Sequence, residues 1–160
     1  MIIRDFKKKD GGQAKKIFST YWNDEVFLRE LVENLDSYTR KNDAYDRNTY
    51  RFYVAEEAGE IIGIAGFRKA PQYLRTYADT DNPAEFYVLA SKYKKRGIGE
   101  ALRVKRIEEA KKLGFTEILF YSPETHEDSW GFHDRLGFNR HGLIADPDGY
   151  PGMVWKKLLK

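Results

Sequence analysis

The chain contains no cysteine. Disulfide scaffolds, thiolate zinc sites, iron–sulfur ligation and cysteine-nucleophile catalysis are therefore excluded. Long hydrophobic runs are also missing. The longest candidate for a membrane span, Ile61–Phe67, falls far short of the ~20 residues that a spanning helix needs. Nor does one sign of charge dominate: 28 Lys+Arg stand against 25 Asp+Glu, for a formal charge of +3. A dedicated nucleic-acid binder would concentrate basic charge more strongly. The opening Met1-Ile2-Ile3-Arg4-Asp5-Phe6, followed by Lys7-Lys8-Lys9, has no apolar signal-peptide core. Internal repeats, low-complexity tracts and Gly/Ser/Pro linkers are absent as well. These exclusions lead to one expectation: a single cytoplasmic domain over residues 1–160, with neither nucleic acid nor membrane as partner.

What is present is enough apolar material for a core, 41% of 160 residues, arranged in recognisable periods. Ile2–Phe6 is short and β-prone. Asp10 precedes Gln13 by three residues, the spacing of a capping box, and Ala14, Ile17, Phe18, Tyr21 and Trp22 follow at helical intervals. Val26, Phe27, Leu28, Leu31, Val32 and Leu35 predict a second helix, with Asp36–Asn48 as a loop or fraying end. Tyr50–Glu57 and Glu60–Phe67 form a hairpin around Ala58-Gly59, and Ala70–Pro83 reads as a loop. Glu85–Ala90 has the nearly continuous apolarity of a strand buried on both faces. The spacing then predicts a helix over Ile98–Leu113, with Ala101, Leu102, Ile107, Ala110 and Leu113 inward and Gly114 as its stop. A strand at Ile118–Tyr121, a helix at about Ser129–Leu136 ended by Gly137, and strands at Phe138–Leu143 and Met153–Leu158 complete the order βααβββαβαββ. Hairpins mixed with crossover helices make this an α/β (α+β) chain with a mixed sheet.

The most informative stretch is Lys94-Lys95-Arg96-Gly97-Ile98-Gly99-Glu100-Ala101, between a buried strand and a long helix. A helix start exposes unpaired N–H groups at the positive end of its dipole, and glycines there let a phosphate approach the backbone closely. Lys94, Lys95 and Arg96 strengthen the anion reading. A Walker loop would need Gly-Lys-Ser/Thr where Gly99-Glu100-Ala101 stands. A dinucleotide fingerprint would need glycine where Leu102 stands. The plainer alternative is a glycine-rich turn with solvated lysines beside it.

Leu89-Ala90-Ser91-Lys92-Tyr93-Lys94-Lys95-Arg96-Gly97-Ile98-Gly99 resembles the strand–Arg/Gln-x-x-Gly-x-Gly/Ala–helix hallmark of the GNAT superfamily of acyl-CoA-dependent N-acyltransferases, with Lys94 in place of Arg or Gln. Their second motif, Asn-x-x-Ala-x-x-x-Tyr-x-x-x-Gly-Phe, is matched in spacing by His126 to Phe138. Here His126 replaces Asn, Ser129 replaces Ala and His133 replaces Tyr. Motif spacings, element order and length extend the resemblance over essentially the whole chain. It implies a mixed, mostly antiparallel sheet flanked by helices, acetyl-CoA as co-substrate and no metal. It also implies that Lys94, Lys95, Arg96, Gly97, Ile98, Gly99 and Glu100 hold the CoA pyrophosphate. Leu89, Ala90 and Ser91 would pair through their backbone with the pantetheine arm, and His126 and Ser129 would lie against the cofactor. Members of this superfamily are often dimers, so the resemblance leaves a homodimer as an expectation.

Acyl transfer to an amine needs a neutral amine, a polarised thioester carbonyl and a proton for the departing thiolate. Glu85 is the candidate base. Strand alternation sets it on the same face as Leu89, neighbouring aromatics would desolvate it, and the family often has glutamate there. The alternative is a charged strand-start residue facing solvent. His133 occupies the place of the family's thiolate-protonating tyrosine, and imidazole can donate a proton near neutral pH. It could equally be a surface residue without a role, with Tyr93 and Tyr121 as fallback donors. His126 and His133, seven apart, could share a helical face. No H-E-x-x-H spacing is present, so no metal is expected. Tyr73, Tyr77, Tyr150, Trp22, Asp79, Asp81, Asp146 and Asp148 in the variable segments would suit a cationic amine. The expected activity is acetyl transfer from acetyl-CoA to a primary amine in a ternary complex. The rivals are a non-catalytic acyl-CoA-binding sensor of the same fold and, from another class, a nucleic-acid module using Lys92–Arg96.

Overall fold

A computed structural model describes residues 1–40 and 50–160. The strands are β1 (Ile2–Asp5), β2 (Arg51–Glu57), β3 (Glu60–Lys69), β4 (Pro83–Ser91), β5 (Glu117–Pro123), β6 (Asn139–Ala145) and β7 (Pro151–Leu158). The helices are α1 (Gly11–Tyr21), α2 (Glu25–Arg40), α3 (Gln72–Arg75), α4 (Ile98–Lys112) and α5 (Trp130–Arg135). The seven strands form a mixed sheet in the order β1-β2-β3-β4-β5-β7-β6. Its parallel pair is β4 with β5, in register from Pro83↔Glu117 to Glu85↔Leu119, and the pairs β1–β2, β2–β3, β5–β7 and β6–β7 are antiparallel. The mixed, mostly antiparallel architecture expected from the sequence is the one observed.

The chain divides into two compact units, Met1–Arg68 with Tyr87–Glu109, and Lys69–Phe86 with Ala110–Lys160. In the first, Ala14, Ile17 and Phe18 of α1 and Leu31 and Leu35 of α2 are buried with Phe52, Val54, Ile64, Val88 and Ala90 of the strands. Asp24 caps α2, its Oδ1 accepting from the N–H groups of Val26 and Phe27 at 2.9 and 3.2 Å. The helix runs on through Arg40, past the point where the sequence predicts a loop, and residues 41–48 of that expected loop lie outside the described residues.

In the second unit, Phe120 stacks on Phe86 and Trp155 at 6.3 and 6.0 Å, and Phe138 meets Phe120 edge-on at 5.0 Å. Trp155 is completely buried. Burial of a large apolar side chain contributes about 1.5–3 kcal/mol, so this cluster is a principal anchor of the unit.

Three local expectations are corrected. Asp10 and Gln13 do not form a capping box. The Asp10 carboxylate accepts from Arg4 Nη1 and Nη2 at 2.8 and 2.9 Å and from the Lys7 N–H at 2.8 Å, while Gln13 Oε1 accepts from the Ile61 N–H at 2.9 Å. A bidentate guanidinium outcompetes a backbone cap for a buried carboxylate. The expected loop at Ala70–Pro83 contains the single-turn α3, pinned by the fully buried Leu74 and by Arg75 Nη2 donating to Ala70 O at 2.9 Å. The buried stripe of α4 is Ile98, Leu102, Arg106 and Ala110, spaced by four, whereas Ala101, Ile107 and Leu113 are only half-buried. An arginine in that stripe hid it from a reading by apolarity alone.

Candidate active site

In the first unit β4 ends at Ser91 and α4 begins at Ile98, with the exposed turn 92–97 between them. The Lys92 N–H donates to Ile62 O at 2.8 Å, and the next donation along the backbone is Ala101 N–H to Gly97 O at 3.0 Å. Among the described residues, the amides from 93 to 100 between them make no backbone hydrogen bond. Gly97 has φ +76° and Lys95 φ +59°. Two left-handed residues in three curl the chain so that successive N–H groups can point to one side, the geometry of an anion nest. Gly99 and Glu100 lie in the first turn of α4. Ile98 is buried, and Glu100 is held by Arg103 at 2.6 Å, which also keeps its carboxyl below the usual range. The pairing offsets an acidic charge beside the helix start.

The four cations of this turn differ in their pairing. Arg96 Nη2 lies 2.6 Å from Glu57 Oε1, and its guanidinium lies over the Tyr93 ring at 4.8 Å. Lys92 pairs with Glu60. Lys94 and Lys95 are exposed and form no ion pair among the described residues, so they are available to an incoming phosphate. A Cβ on Gly63 of β3 would sit 2.5 Å from Ile98 Cγ2 and 3.2 Å from Leu102 Cδ1. Glycine at 63 therefore lets the start of α4 lie directly on the strand. Sequence reasoning passed over Gly63, although a lone glycine within Ile61-Ile62-Gly63-Ile64 is a signal of close approach. Leu89 and Ser91 are half-buried at the strand end and Ala90 is buried.

The other singled-out residues belong to the second unit. Glu85 is buried, 6% exposed, which removes the solvent-facing alternative. His133 is half-buried, with its ring 4.7 Å from Phe120 and 5.3 Å from Trp155, so it is no bare surface residue. His126 does not share a helical face with His133. It sits in a 3-10 segment, Glu124–Ser129, with non-helical φ −110° and ψ 24°, and its carbonyl accepts from Ser129 Oγ at 2.7 Å. The preceding Pro123 and this hydroxyl bond favour a tight turn over a longer α-helix. The aspartates thought to suit a cationic amine are partly engaged in the fold. Asp79 binds Lys156 Nζ at 2.8 Å, and Asp146 Oδ1 accepts from the N–H groups of Asp148 and Tyr150 at 3.0 and 2.8 Å. Sequence reasoning also missed Glu117, fully buried, whose carboxylate accepts from the Asp79 and Thr80 N–H groups at 2.9 and 3.0 Å and so ties down their loop. No group of three or more metal-ligating side chains occurs among the described residues.

A strand end, a nest of amides and two lysines without an ion pair among the described residues suit an anionic group such as a pyrophosphate. Residues 14–138 match the model of the Acetyltransferase (GNAT) family. The chain belongs to that family. It is an acyl-CoA-dependent N-acetyltransferase. Solved structures share its fold: a GNAT-family protein from Desulfovibrio desulfuricans aligns at 16% identity and TM-score 0.82 over 99% of each chain. A ribosomal-protein-alanine N-acetyltransferase from Brucella melitensis aligns at 19% and 0.74 over 99% of this chain and 100% of its own. An aminoglycoside 6'-N-acetyltransferase complexed with coenzyme A aligns at 17% and 0.74 over 100% of this chain and 98% of its own. A comparison with curated protein sequences finds no match. Among the described residues no helix is long and apolar enough to cross a membrane.

Proposed function

We propose that the chain acts as one acetyltransferase domain in the cytoplasm, moving the acetyl group of acetyl-CoA to a primary amine by direct attack in a ternary complex. The observation that carries the reading is the run of unbonded amides from 93 to 100 at the start of α4, beside unpaired Lys94 and Lys95. In this reading Lys94, Lys95, Arg96, Gly97, Ile98, Gly99 and Glu100 receive the pyrophosphate, chiefly through backbone N–H groups. Leu89, Ala90 and Ser91 pair with the pantetheine arm, and the exposed His126 and half-buried Ser129 border it. Glu85, whose burial favours its protonated form, takes a proton from the acceptor's ammonium, directly or through water, to give the neutral amine that attacks the thioester carbonyl. The adduct's nitrogen sheds its extra proton to solvent and His133 gives one to the thiolate as the tetrahedral adduct collapses, breaking the C–S bond and leaving the neutral amide and CoA-SH.

The test is thiol release from acetyl-CoA against a panel of polyamines, amino-sugars and peptide N-termini, for wild type and E85Q. The substitution should lower the rate about 100-fold with CoA affinity retained. Equal rates would remove the base assignment. CoA binding with no release for any amine would leave the acetyl-transfer reading without support.

A further inference from the structure

A cavity of about 320 Å³ opens between the β1–β2 ribbon and the second half of α4. Strand alternation and the register Asp5↔Tyr53 put Ile3, Asp5, Arg51 and Tyr53 on one face of the ribbon. Lys105 and Glu109, four apart on α4, line the cavity from the helix. Tyr53 is 2% exposed and forms the floor, while Asp5 is exposed at the rim. Among the described residues the Tyr53 hydroxyl has no hydrogen-bond partner. Burial, the largest influence, pushes its pKa up, Arg51 opposes that shift, and Glu109, Tyr38 and Asp5 add to it. Three of those four groups line the cavity, so the hydroxyl lies at it, and it stays a donor at neutral pH.

A buried hydroxyl without an acceptor is destabilising, and phenylalanine would fill the same place without that penalty. The groups around it are engaged within the fold. Lys105 Nζ lies 3.0 Å from Glu109 Oε1, Tyr38 Oη donates to Asp5 Oδ1 at 2.9 Å, and Arg51 also engages the Tyr38 hydroxyl. Arg4, which borders the cavity, is held by Asp10 and Glu56. A ligand must therefore first bring an acceptor oxygen for Tyr53. With Arg4 neutralised, Arg51 and Lys105 stand against Asp5 and Glu109. A carboxylate alone would meet the two acids, and an amine alone the two cations. A molecule with both charges, set a few bonds apart, offers each pair its complement.

We infer that this cavity binds a small zwitterion, an α-amino acid, whose carboxylate accepts from the Tyr53 hydroxyl beside Arg51 and Lys105 and whose ammonium lies toward Asp5 and Glu109. The volume suits it, since small-molecule pockets begin at about 300 Å³. Ile3 and the methylene stems of Arg51 and Lys105 offer apolar cover to a side chain. Lys105 follows Ile98 by seven residues, about 10 Å of helix rise, so the cavity is separate from the 92–97 turn. The inference stands whether or not that turn receives acetyl-CoA.

Thermal shift and calorimetry on the full chain with the common L-amino acids test it. At least one should raise the melting temperature and bind with a Kd of about 1 mM, the range open to so small a ligand. For that amino acid, the matching acid without the ammonium and the matching amine without the carboxylate should each bind about tenfold more weakly. Saturating CoA should leave the affinity unchanged. Y53F should lose about tenfold in amino-acid affinity yet melt no lower than wild type, because it removes a buried hydroxyl that has no partner. A lower melting temperature for Y53F would mean that the chain itself holds the hydroxyl, and would overturn the inference. So would full affinity in Y53F, no binding of any amino acid, competition by CoA, or a plain acid or amine binding as tightly as its amino acid.

Discussion

Asp10 shows how a residue's partners outrank its local pattern. Its spacing to Gln13 suits a helix cap, yet the carboxylate is buried against the Arg4 guanidinium. Burial raises the Asp10 pKa, but the Arg4 hydrogen bonds and the Lys7 N–H outweigh it and hold the group below the usual carboxylate range. A depressed folded-state pKa means that the stabilisation is fully present above the unfolded value and is lost as pH falls through the folded one. D10N should therefore cost about 1–3 kcal/mol at neutral pH, measured by urea unfolding, and the gap to wild type should close in acid. A gap independent of pH would show that the charge is not the cause. Gly63 presents the opposite case, a residue whose side chain matters by being absent. In G63A the new Cβ would meet Ile98 at 2.5 Å, so α4 must shift off β3 at a cost of about 1–3 kcal/mol. The melting temperature and acetyl-CoA affinity should both fall in G63A, because the same contact sets the start of the helix proposed to receive the phosphates.

Among the elements, the β2–β3 hairpin does more than close a sheet edge. Glu57 from its first strand and Glu60 from its second hold Arg96 and Lys92 of the 92–97 turn. These pairs are exposed, so each contributes little to stability, on the order of 0–1 kcal/mol. Their effect is on where the cations are when the ligand arrives. E57Q frees Arg96 to reach a phosphate, and the KM for acetyl-CoA should drop about twofold, with less effect at high salt. A rise in KM would mean that Glu57 orders the turn and does not compete with the ligand. Helix α4 was legible from its glycine stop and its apolar spacing, but its inner face was not. Arg106 reads as a surface residue in any pattern built on hydrophobicity, because only the strand carbonyls of Gly66 and Val88 give it a reason to be inside. The turn before α5 failed for a related reason. The His126–His133 spacing suits a helix, but backbone geometry at His126 interrupts it.

For the molecule as a whole, the formal charge of +3 matters less than its distribution. Among the described residues Lys94 and Lys95 form no ion pair in the 92–97 turn, while Arg96 and Lys92 are neutralised nearby. Two exposed lysines and a backbone nest predict a moderate salt dependence, since backbone N–H groups and a helix start do not release counterions as a basic surface does. Acetyl-CoA affinity should weaken only a few-fold between low and physiological salt, measured by calorimetry. A loss of about a thousandfold would instead be the signature of extensive phosphate neutralisation, as in nucleic-acid binding.

The sequence by itself determined the order of all the strands and of the longer helices, the mixed sheet, and the glycine-bearing turn before α4. These follow from periodicity, glycine position and helix starts, which are properties of neighbouring residues. It also named Glu85 and His133, though not their surroundings. The tertiary structure decided that Glu85 is buried, that His133 lies against Phe120 and Trp155, that Asp10 belongs to Arg4, and that a guanidinium lies within the α4 stripe. Each of these depends on partners far apart in the chain, and desolvation and pairing are decided only when folding brings them together. The absence of cysteine keeps its meaning at the end: in the proposed reaction the sulfur comes with the co-substrate, and the chain supplies amides, a buried carboxylate and an imidazole around it.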